Sequence, residues 1–348
     1  MGRDTRSAFL RALKAVNLRV AEAFEQSVDD IRNSASLDLV EQAIADNDIA
    51  RVIELLNLRP EFFSPLDRAL RDAYIAGGDY QAGRIPVRLP DGVPRLVARF
   101  QSNAPRAAEW GNRVPGQYIA GLVGQQRSMV VQAVTEEATA GSSFRQIART
   151  LIGERQGNRR VGGLIGLSDQ QAAAVRAARL ELQALDPAVL RRGPKGPDGR
   201  RRGGLSGNDR RRVRTAIDRG EQLSDAEVRA MLRRYSDRLL RHRGSVIART
   251  EANRAMNAGR IEQIDQLLDD GRIRADMVTK VWQATPGDRT RDSHQALHEE
   301  TVRWGEVFVS PITGASLRHP HDENAPAAET INCRCTLRVD VNWLALAA

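Results

Sequence analysis

The sequence predicts a mainly α-helical protein: an elongated helical body with one long helix, followed by a small C-terminal α+β domain. Three observations predict this class. Apolar residues make up 41% of the 348 residues but aromatic residues only 4%, which favours helices packed through small and aliphatic side chains over a β-sandwich. Apolar residues recur at spacings of three and four through most of the chain. After Asp276 apolar and polar residues alternate, which is typical of strands.

The N-terminal half is predicted to consist of helices joined by loops. Apolar residues at helical spacing predict helices over residues 1–58. Proline and glycine are frequent over residues 59–115, so short, loop-linked elements are expected there. Helices are expected again from about residue 118 to 136 and from 143 to 151.

Two capping boxes predict the starts of the next helices. An S-x-x-Q box at residues 168–171 opens an alanine-rich helix, and an S-x-x-E box at residues 224–227 opens a longer one. The apolar face of the second helix continues to Leu268, and Gly271 is a natural stop. At a rise of 1.5 Å per residue, roughly 45 residues would form a rod of about 70 Å.

A chain of this length is expected to form two or three domains. We predict an N-terminal helical region over residues 1–160, a second helical region over 161–272 and a small α+β domain over 273–348. Strands in the small domain are expected at residues 278–282, 306–309 and 337–341.

The positive charge is concentrated in one basic tract. Residues 191–214 hold ten lysines and arginines against two aspartates, so this tract carries nearly all of the formal net charge of +9. Interspersed glycine and proline predict a flexible loop. The tract could bind the DNA backbone, but it has no aromatic residues for base stacking; a solvated loop is the alternative. The candidate DNA contacts are Arg200, Arg201, Arg202, Arg210, Arg211 and Arg212.

The segment from Trp282 to Cys335 is unusually rich in polar residues that can bind metal. Both cysteines and four of the five histidines of the chain lie there. A C-x-C pair is poorly placed for a disulfide, but on a strand both side chains point to the same side. Residues at i and i+4 share a helix face, which pairs His294 with His298.

Two imidazoles and two thiolates would suit a tetrahedral zinc site. The predicted ligands are His294, Cys333 and Cys335, with His298 a weaker fourth. Rival ligands are His319, His321 and Asp322. The alternative is that these polar residues form a network of hydrogen bonds, which stabilises a small domain without a metal ion. The residues assigned to such a network are Arg249, Glu251, Asp288, Arg289, Arg291, Asp322 and Asn332.

The chain lacks the sequence motifs of common enzymes. It contains no G-x-x-x-x-G-K-[ST], G-x-S-x-G or H-E-x-x-H pattern, so we predict no enzymatic activity and no small-molecule substrate. The alternative is a metal-dependent nuclease or toxin-like enzyme, because such nucleases combine histidine and asparagine with cysteine pairs. No apolar run reaches the roughly 18–20 residues that span a bilayer, and the first residues do not resemble a signal peptide. We therefore expect no membrane partner and a cytoplasmic site of synthesis.

Three C-terminal motifs resemble the signature of the phage Mu F-like minor head proteins, a family of tailed-phage head morphogenesis proteins. They are D-R-T-R-x-x-H at residues 288–294, L-x-x-P-x-D at 317–322 and N-C-R-C-T at 332–336. The I-A-R-T-E helix at 247–251 resembles the helix that precedes this domain in the family. Where this chain has His298-Glu299, the wider family usually has Asp-Gly, which weakens His298 as a ligand.

The resemblance implies a function in the phage head. It implies a minor capsid protein that acts in procapsid assembly, bound near the portal on the inner side of the capsid, and that influences DNA packaging or delivery. The implied partners are the portal protein, capsid or scaffold proteins and the backbone of packaged DNA. The implied location is the virion, assembled in the host cytoplasm.

Overall fold

The computed structural model describes residues 6–86, 96–193, 204–285, 287 and 290–346. The protein is 65% helical, which confirms the predicted class. In chain order the helices are α1 (Arg6–Ser34), α2 (Leu37–Ala45), α3 (Ile49–Leu55), α4 (Ser64–Ala82), α5 (Pro105–Thr139), α6 (Phe144–Ile152), α7 (Asp169–Gln183), α8 (Gly207–Arg219), α9 (Asp225–Asp269), α10 (Asp292–Ala296) and α11 (Ala327–Thr330). The strands are β1 (Glu154–Gln156), β2 (Arg159–Val161), β3 (Val278–Gln283), β4 (Thr301–Arg303), β5 (Phe308–Val309), β6 (Ser316–Leu317) and β7 (Thr336–Val341).

Both predicted capping boxes are present. The Ser168 hydroxyl accepts from the Gln171 amide at 3.3 Å, while the Gln171 side chain accepts from the Ser168 amide at 3.1 Å. Ser224 and Glu227 form the same reciprocal pair at the start of α9. The long helix is therefore confirmed at 45 residues, and Gly271 follows it with a φ of +66°, a conformation that favours glycine. Among the described residues, no helix is both long and apolar enough to cross a membrane.

The prediction of short elements over residues 59–115 was wrong, because α4 has 19 residues and α5 begins inside this range. The prolines at the two starts lie in the first helical turn, where a missing amide hydrogen costs nothing. The glycines of α4 allow a close approach between helices. A Cβ on Gly77 would lie 2.1 Å from the Met256 carbonyl oxygen, and one on Gly259 would lie 2.0 Å from that of Tyr74.

The prediction of a loop across the whole basic tract was also wrong, because residues 207–214 belong to α8. The Ser206 hydroxyl accepts from the Asp209 amide at 3.0 Å and caps this helix. The buried Asp209 carboxylate pairs with Arg234, and Val213 is fully buried. These tertiary contacts stabilise a helix whose composition alone suggests a loop. Residues 194–203, with Arg200, Arg201 and Arg202, lie outside the described residues.

The chain forms two compact units, each assembled from separate stretches. Unit 1 comprises Met1–Glu22, Leu66–Gln117 and Ser245–Ala348, and unit 2 comprises Ala23–Pro65 and Tyr118–Gly244. The three continuous segments inferred from the sequence divide the chain differently, and that division stays a prediction.

Unit 1 contains the small sheets. In the three-stranded antiparallel sheet, β3 lies between β4 and β7, with Val278 opposite Val341. The predicted strands at 278–282 and 337–341 are confirmed. Trp282, at 0% exposure, shares one apolar core with Ile264 and Leu267 from α9. The small C-terminal sheet thus shares its core with the long helix.

In the described residues of unit 2, the regular elements are helices and the β1–β2 hairpin. Its core is formed by apolar residues from several helices, and its polar contacts fix the connections between them. Arg32 is 1% exposed and donates to the carbonyl oxygen of Ile165 at 2.5 Å. Arg179 pairs with Glu137 at 2.6 Å.

Candidate metal centre

The structure brings the three predicted ligands together. His294 lies in the short helix α10, and Cys333 and Cys335 lie in the segment just before β7. We call these three residues the Cys–His cluster. The His294 Nδ1 atom is 3.4 Å from each of the two sulfur atoms, and all three ligand atoms lie within 4.8 Å of one another. Their exposures are 1%, 3% and 2%, so the cluster is inside the core.

A buried glutamate orients the histidine. His294 Nε2 is 2.8 Å from the Glu329 carboxylate, which also accepts hydrogen bonds from the hydroxyls of Ser293, Ser310 and Thr313. Burial alone would raise the pKa of Glu329, but these donors more than offset it and the pKa is lowered. An ionised carboxylate can only accept, so Nε2 of His294 carries the proton. The Nδ1 atom, on the other side of the ring, faces the two sulfur atoms.

The two thiols differ in their tendency to ionise. The hydrogen bond with Cys335, together with burial, raises the pKa of Cys333, although His294 and His321 partly oppose this. The same thiol–thiol hydrogen bond lowers the pKa of Cys335. The Trp282 ring, 5.2 Å from the His294 ring between centroids, covers the cluster.

His321 lies beside this cluster and has unusual surroundings. Its exposure is 0%, and among the described residues neither ring nitrogen has a hydrogen-bond partner. His321 lies near enough to Cys333 to lower the pKa of that thiol. It is not one of the three residues whose ligand atoms all lie within 4.8 Å of one another. Its φ is +67°, in the left-handed region that non-glycine residues rarely occupy.

Helix α9 holds the backbone on both sides of the cluster. Arg249 donates to the Asn332 side chain, and the Thr250 hydroxyl accepts from the Asn332 amide at 3.0 Å. Asn257 donates to the Pro320 carbonyl oxygen at 3.1 Å, next to His321. The I-A-R-T-E segment and the residues after it therefore position the loops that carry the cysteines and His321.

Arg249 and Glu251, two residues assigned to the polar network, have different partners. Arg249 contacts Asn332, as just described, and Glu251 pairs with Arg254 at 2.6 Å. Burial raises the pKa of Glu251. Arg291 donates to the Ile331 carbonyl oxygen at 2.6 Å. Asp288 and Arg289 lie outside the described residues.

The other candidate ligands, His298, His319 and Asp322, lie outside the Cys–His cluster. The expectation that His298 shares a helix face with His294 was wrong, because α10 ends at Ala296; the His298 side chain is 43% exposed, 3.8 Å from Glu299. Asp322 accepts from the amides of residues 318 and 324 at 2.6 and 2.9 Å and so stabilises a turn. His319 contacts the Pro320 carbonyl oxygen at 3.0 Å, and burial lowers the pKa of its imidazole.

The described arginines of the basic tract fall into two groups. Arg212 donates to Glu227 at 2.7 Å, and this contact, with those from Ser224, lowers the pKa of Glu227 to about 2. Arg210 is half-buried, whereas Arg211 and Arg214 lie on the exposed surface of α8. Arg211 also donates to the Asn208 side chain, and the exposure of both arginines leaves them accessible to a phosphate backbone.

The family comparison agrees with this architecture. Residues 210–338 match the family model described as Phage Mu protein F like protein, a segment that includes all of α9 and the Cys–His cluster. No curated protein and no solved structure matches the chain. The match covers 129 of the 348 residues, so it assigns this segment, and not the whole chain, to a family of phage head morphogenesis proteins. Within this chain, residues 210–338 are a Mu F-like domain, which confirms the resemblance of the sequence motifs. Proteins of this class interact with other capsid or portal components and are associated with the virion.

Sequence reasoning missed Glu329. Thiol, imidazole and carboxylate in this order resemble the nucleophile, base and orienting acid of a hydrolase. The two sulfur atoms are buried under the core, however, and a nucleophile must reach its substrate. The arrangement is better suited to holding an ion or to fixing the fold. No local pattern around A-A-E-T at residues 327–330 would have revealed this carboxylate.

Proposed function

We propose that this protein is a minor capsid protein of a tailed phage or phage-like particle, bound to the portal and the capsid interior. In this role it aids procapsid assembly and DNA packaging or delivery. The observation that carries the proposal is the Mu F-like domain over residues 210–338. The burial of the Cys–His cluster supports a structural use of these residues and a protein without enzymatic activity.

The helical surface is the proposed docking surface for the portal. Long helices can offer an extended row of side chains to a partner, and apolar residues are exposed on several of them. Leu18 on α1 is 60% exposed and Leu180 on α7 is 63% exposed. Ile312, between β5 and β6, is similarly exposed at 64% and provides a matched comparison in the C-terminal part of the chain.

The test uses the full chain, because the core of the C-terminal sheet includes residues of α9 and a cut near residue 272 would divide it. The protein is co-expressed with the portal protein of the same particle and analysed by size-exclusion chromatography. We expect the two to co-elute, and Leu18→Glu or Leu180→Glu to weaken co-elution while Ile312→Glu does not. Loss of binding only in Ile312→Glu would reverse the docking assignment, and failure of the parent to bind would contradict the portal proposal.

Contact with packaged DNA is the second part of the proposal. The exposed arginines of α8 and the adjoining basic tract would neutralise phosphates without reading the base sequence.

The competing proposal is a metal-dependent nuclease or toxin-like enzyme. It rests on the same Cys–His cluster, used for catalysis. It predicts zinc- or magnesium-dependent cleavage of plasmid DNA that is lost in Cys335→Ser. The capsid proposal predicts no cleavage above a mock purification, and metal-dependent cleavage that needs Cys335 would overturn it.

A further inference from the structure

We propose that His294, His321, Cys333 and Cys335 hold one structural zinc ion in unit 1. The assignment adds a fourth ligand to the Cys–His cluster and specifies which imidazole atom of His294 binds. It concerns the stability of this domain, so it can fail without affecting the capsid proposal.

The first argument is the symmetry of the cluster. A single Nδ1 lone pair faces two sulfur atoms at the same distance of 3.4 Å. One lone pair accepts well from only one thiol, so a purely hydrogen-bonded cluster would be expected to favour one sulfur. With zinc–sulfur and zinc–nitrogen bonds of about 2.3 and 2.0 Å, tetrahedral geometry puts ligand nitrogen and sulfur roughly 3.5 Å apart. The observed spacing is the one that an ion between them would require.

The second argument is the carboxylate behind His294. Histidines that bind metal commonly donate their other ring N–H to a carboxylate, which fixes the tautomer and increases the basicity of the ligand nitrogen. Glu329 occupies this position at 2.8 Å from Nε2 and is itself held by three hydroxyls. His294 is therefore preorganised to bind through Nδ1.

The third argument is His321. A fully buried imidazole normally satisfies its nitrogens with hydrogen bonds. Among the described residues no hydrogen bond of ordinary geometry reaches either nitrogen of His321, and the interaction that it does make is with the Cys333 thiol of the cluster. Its backbone is nevertheless held in a left-handed conformation, with Arg254 donating to its carbonyl oxygen at 3.4 Å and Asn257 donating to that of Pro320. Strained backbone of this kind often marks a ligand site. Zinc binding would give one ring nitrogen of His321 a ligand bond. It requires the His321 side chain to move closer to the other three ligands.

Two other uses of these side chains fit less well. A disulfide between Cys333 and Cys335 would close a very short loop, which disulfide geometry disfavours. It would also leave His294 and His321 without a partner for a lone pair. Thiol catalysis would require the buried sulfur atoms to reach a substrate.

Metal analysis of the full-length protein, purified under reducing conditions without chelator, is the first test. We expect about one zinc per chain, because four protein ligands complete a structural site. A strong chelator should lower the melting temperature, because the binding energy of structural zinc is folding energy. Cys333→Ser should lose the metal, and His298→Gln, which changes an exposed histidine outside the cluster, should retain it. Metal far below one per chain, with melting unchanged by chelator, would overturn the site.

Cobalt substitution tests the ligand set without relying on variants that could misfold. We expect Co²⁺ titrated into the zinc-free full chain to give the intense visible bands of a tetrahedral ion and thiolate charge-transfer bands in the near ultraviolet. A weak six-coordinate spectrum would overturn the proposed set.

Single variants then assign the outer ligands. His321→Gln should reduce the visible intensity and weaken Co²⁺ binding by at least about tenfold, and Glu329→Gln should weaken it by about 10–100-fold while retaining the tetrahedral spectrum. Unchanged binding in His321→Gln would exclude His321 as the fourth ligand.

Discussion

Unit 1 and unit 2 differ in how their titratable side chains are arranged. In the C-terminal part of unit 1, Lys280, His294, His321 and Glu329 are each no more than 2% exposed. Most ion pairs of unit 2 lie nearer the solvent; Arg145, for example, is 46% exposed and bridges the carboxylates of α2. The C-terminal part of unit 1 is therefore built around a buried polar network, whereas unit 2 buries separate polar side chains such as Arg32.

The energetic consequence follows from solvation. An ionised group in the core costs several kcal/mol unless it is fully hydrogen-bonded. In unit 1 this requirement is met by specific partners; the Lys280 ammonium, for instance, donates to the carbonyl oxygens of residues 306 and 318 at 2.7 and 3.1 Å. Exposed ion pairs contribute only about 0–1 kcal/mol each. The stability of unit 1 should therefore depend on single residues far more than that of unit 2.

The largest effect is expected for Glu329→Ala. This change leaves His294, the buried hydroxyls of Ser293 and Ser310 and the hydroxyl of Thr313 without their common acceptor. We expect a loss of about 3–5 kcal/mol in the unfolding free energy of unit 1. Tryptophan fluorescence in a urea titration measures it, because all four tryptophans belong to unit 1.

The matched control for this change lies in unit 2. Glu136→Ala removes a 48% exposed carboxylate that pairs with Arg176, and we expect a loss of about 0–1 kcal/mol, measured by hydrogen exchange of α5. Equal losses for the two alanine variants would contradict the proposed difference between the units.

Glycine-to-alanine changes should have opposite signs in the two units. In unit 1, a Cβ on Gly259 would meet the Tyr74 carbonyl oxygen at 2.0 Å, so Gly259→Ala should destabilise by about 1–3 kcal/mol or more. In unit 2, Gly124 lies on the exposed face of α5 with nothing within 4 Å of its Cβ position. Gly124→Ala should stabilise by about 0.5–1 kcal/mol through helix propensity. Thermal melts followed by far-ultraviolet circular dichroism would compare them; destabilisation of similar size in both would show that helix packing does not distinguish these positions.

Local signals in the sequence were sufficient for much of the fold. The capping boxes at Ser168 and Ser224 and the alternation around Val278 act within a few residues, so they predict helix starts and strands without tertiary information. The pairing of the two cysteines with His294 was predictable for a related reason, because side-chain periodicity puts Cys333 and Cys335 on one side of an extended segment. That these three residues bind metal stays a prediction.

The features that the sequence did not predict depend on contacts between distant residues. Gly77 is one of the residues whose frequency predicted short elements over 59–115, but its role is set by the backbone of Met256 in another helix. Residues 207–214 were interpreted as part of a loop because the tract is rich in glycine and proline, although Arg234 and the Ser206 cap stabilise α8. Glu329 acquires its role from hydroxyls on two other segments, α10 and the β5–β6 turn. Such roles cannot be read from local sequence patterns.

The buried lysine of unit 1 should make its stability depend on alkaline pH. Burial lowers the pKa of Lys280 from 10.5 to about 8. Below pH 8 both folded and unfolded chains bind this proton, so the cost of burying the ammonium is fully present. Between pH 8 and 10.5 the unfolded chain binds more protons, and stability rises with pH.

Comparison with a variant isolates this contribution. Relative to Lys280→Met, the wild-type unfolding free energy should increase across that range by at most about 3 kcal/mol. Fluorescence-monitored urea titrations at several pH values measure the difference between the two proteins. A difference that does not change with pH would mean that the two carbonyl acceptors keep Lys280 charged in the folded protein.

The smallest effect is expected on DNA binding by unit 2, where the charges are at the surface. Arg211 and Arg214 are exposed on α8, whereas Arg212 already donates to Glu227 at 2.7 Å. If the exposed pair binds phosphates, the double variant Arg211→Gln/Arg214→Gln should reduce the log–log salt slope of duplex binding by about 0.9 for each phosphate that is no longer neutralised. Arg212→Gln also removes one positive charge, but this arginine pairs with Glu227 and is not expected to contact a phosphate. The salt slope of Arg212→Gln should therefore stay near that of the parent. Fluorescence anisotropy with labelled duplex over a range of salt concentrations measures the slopes. If the salt slope changed by the same amount per charge in both variants, the effect would be one of net charge in general. If the parent did not bind duplex DNA at low salt, this surface would be a solvated helix face.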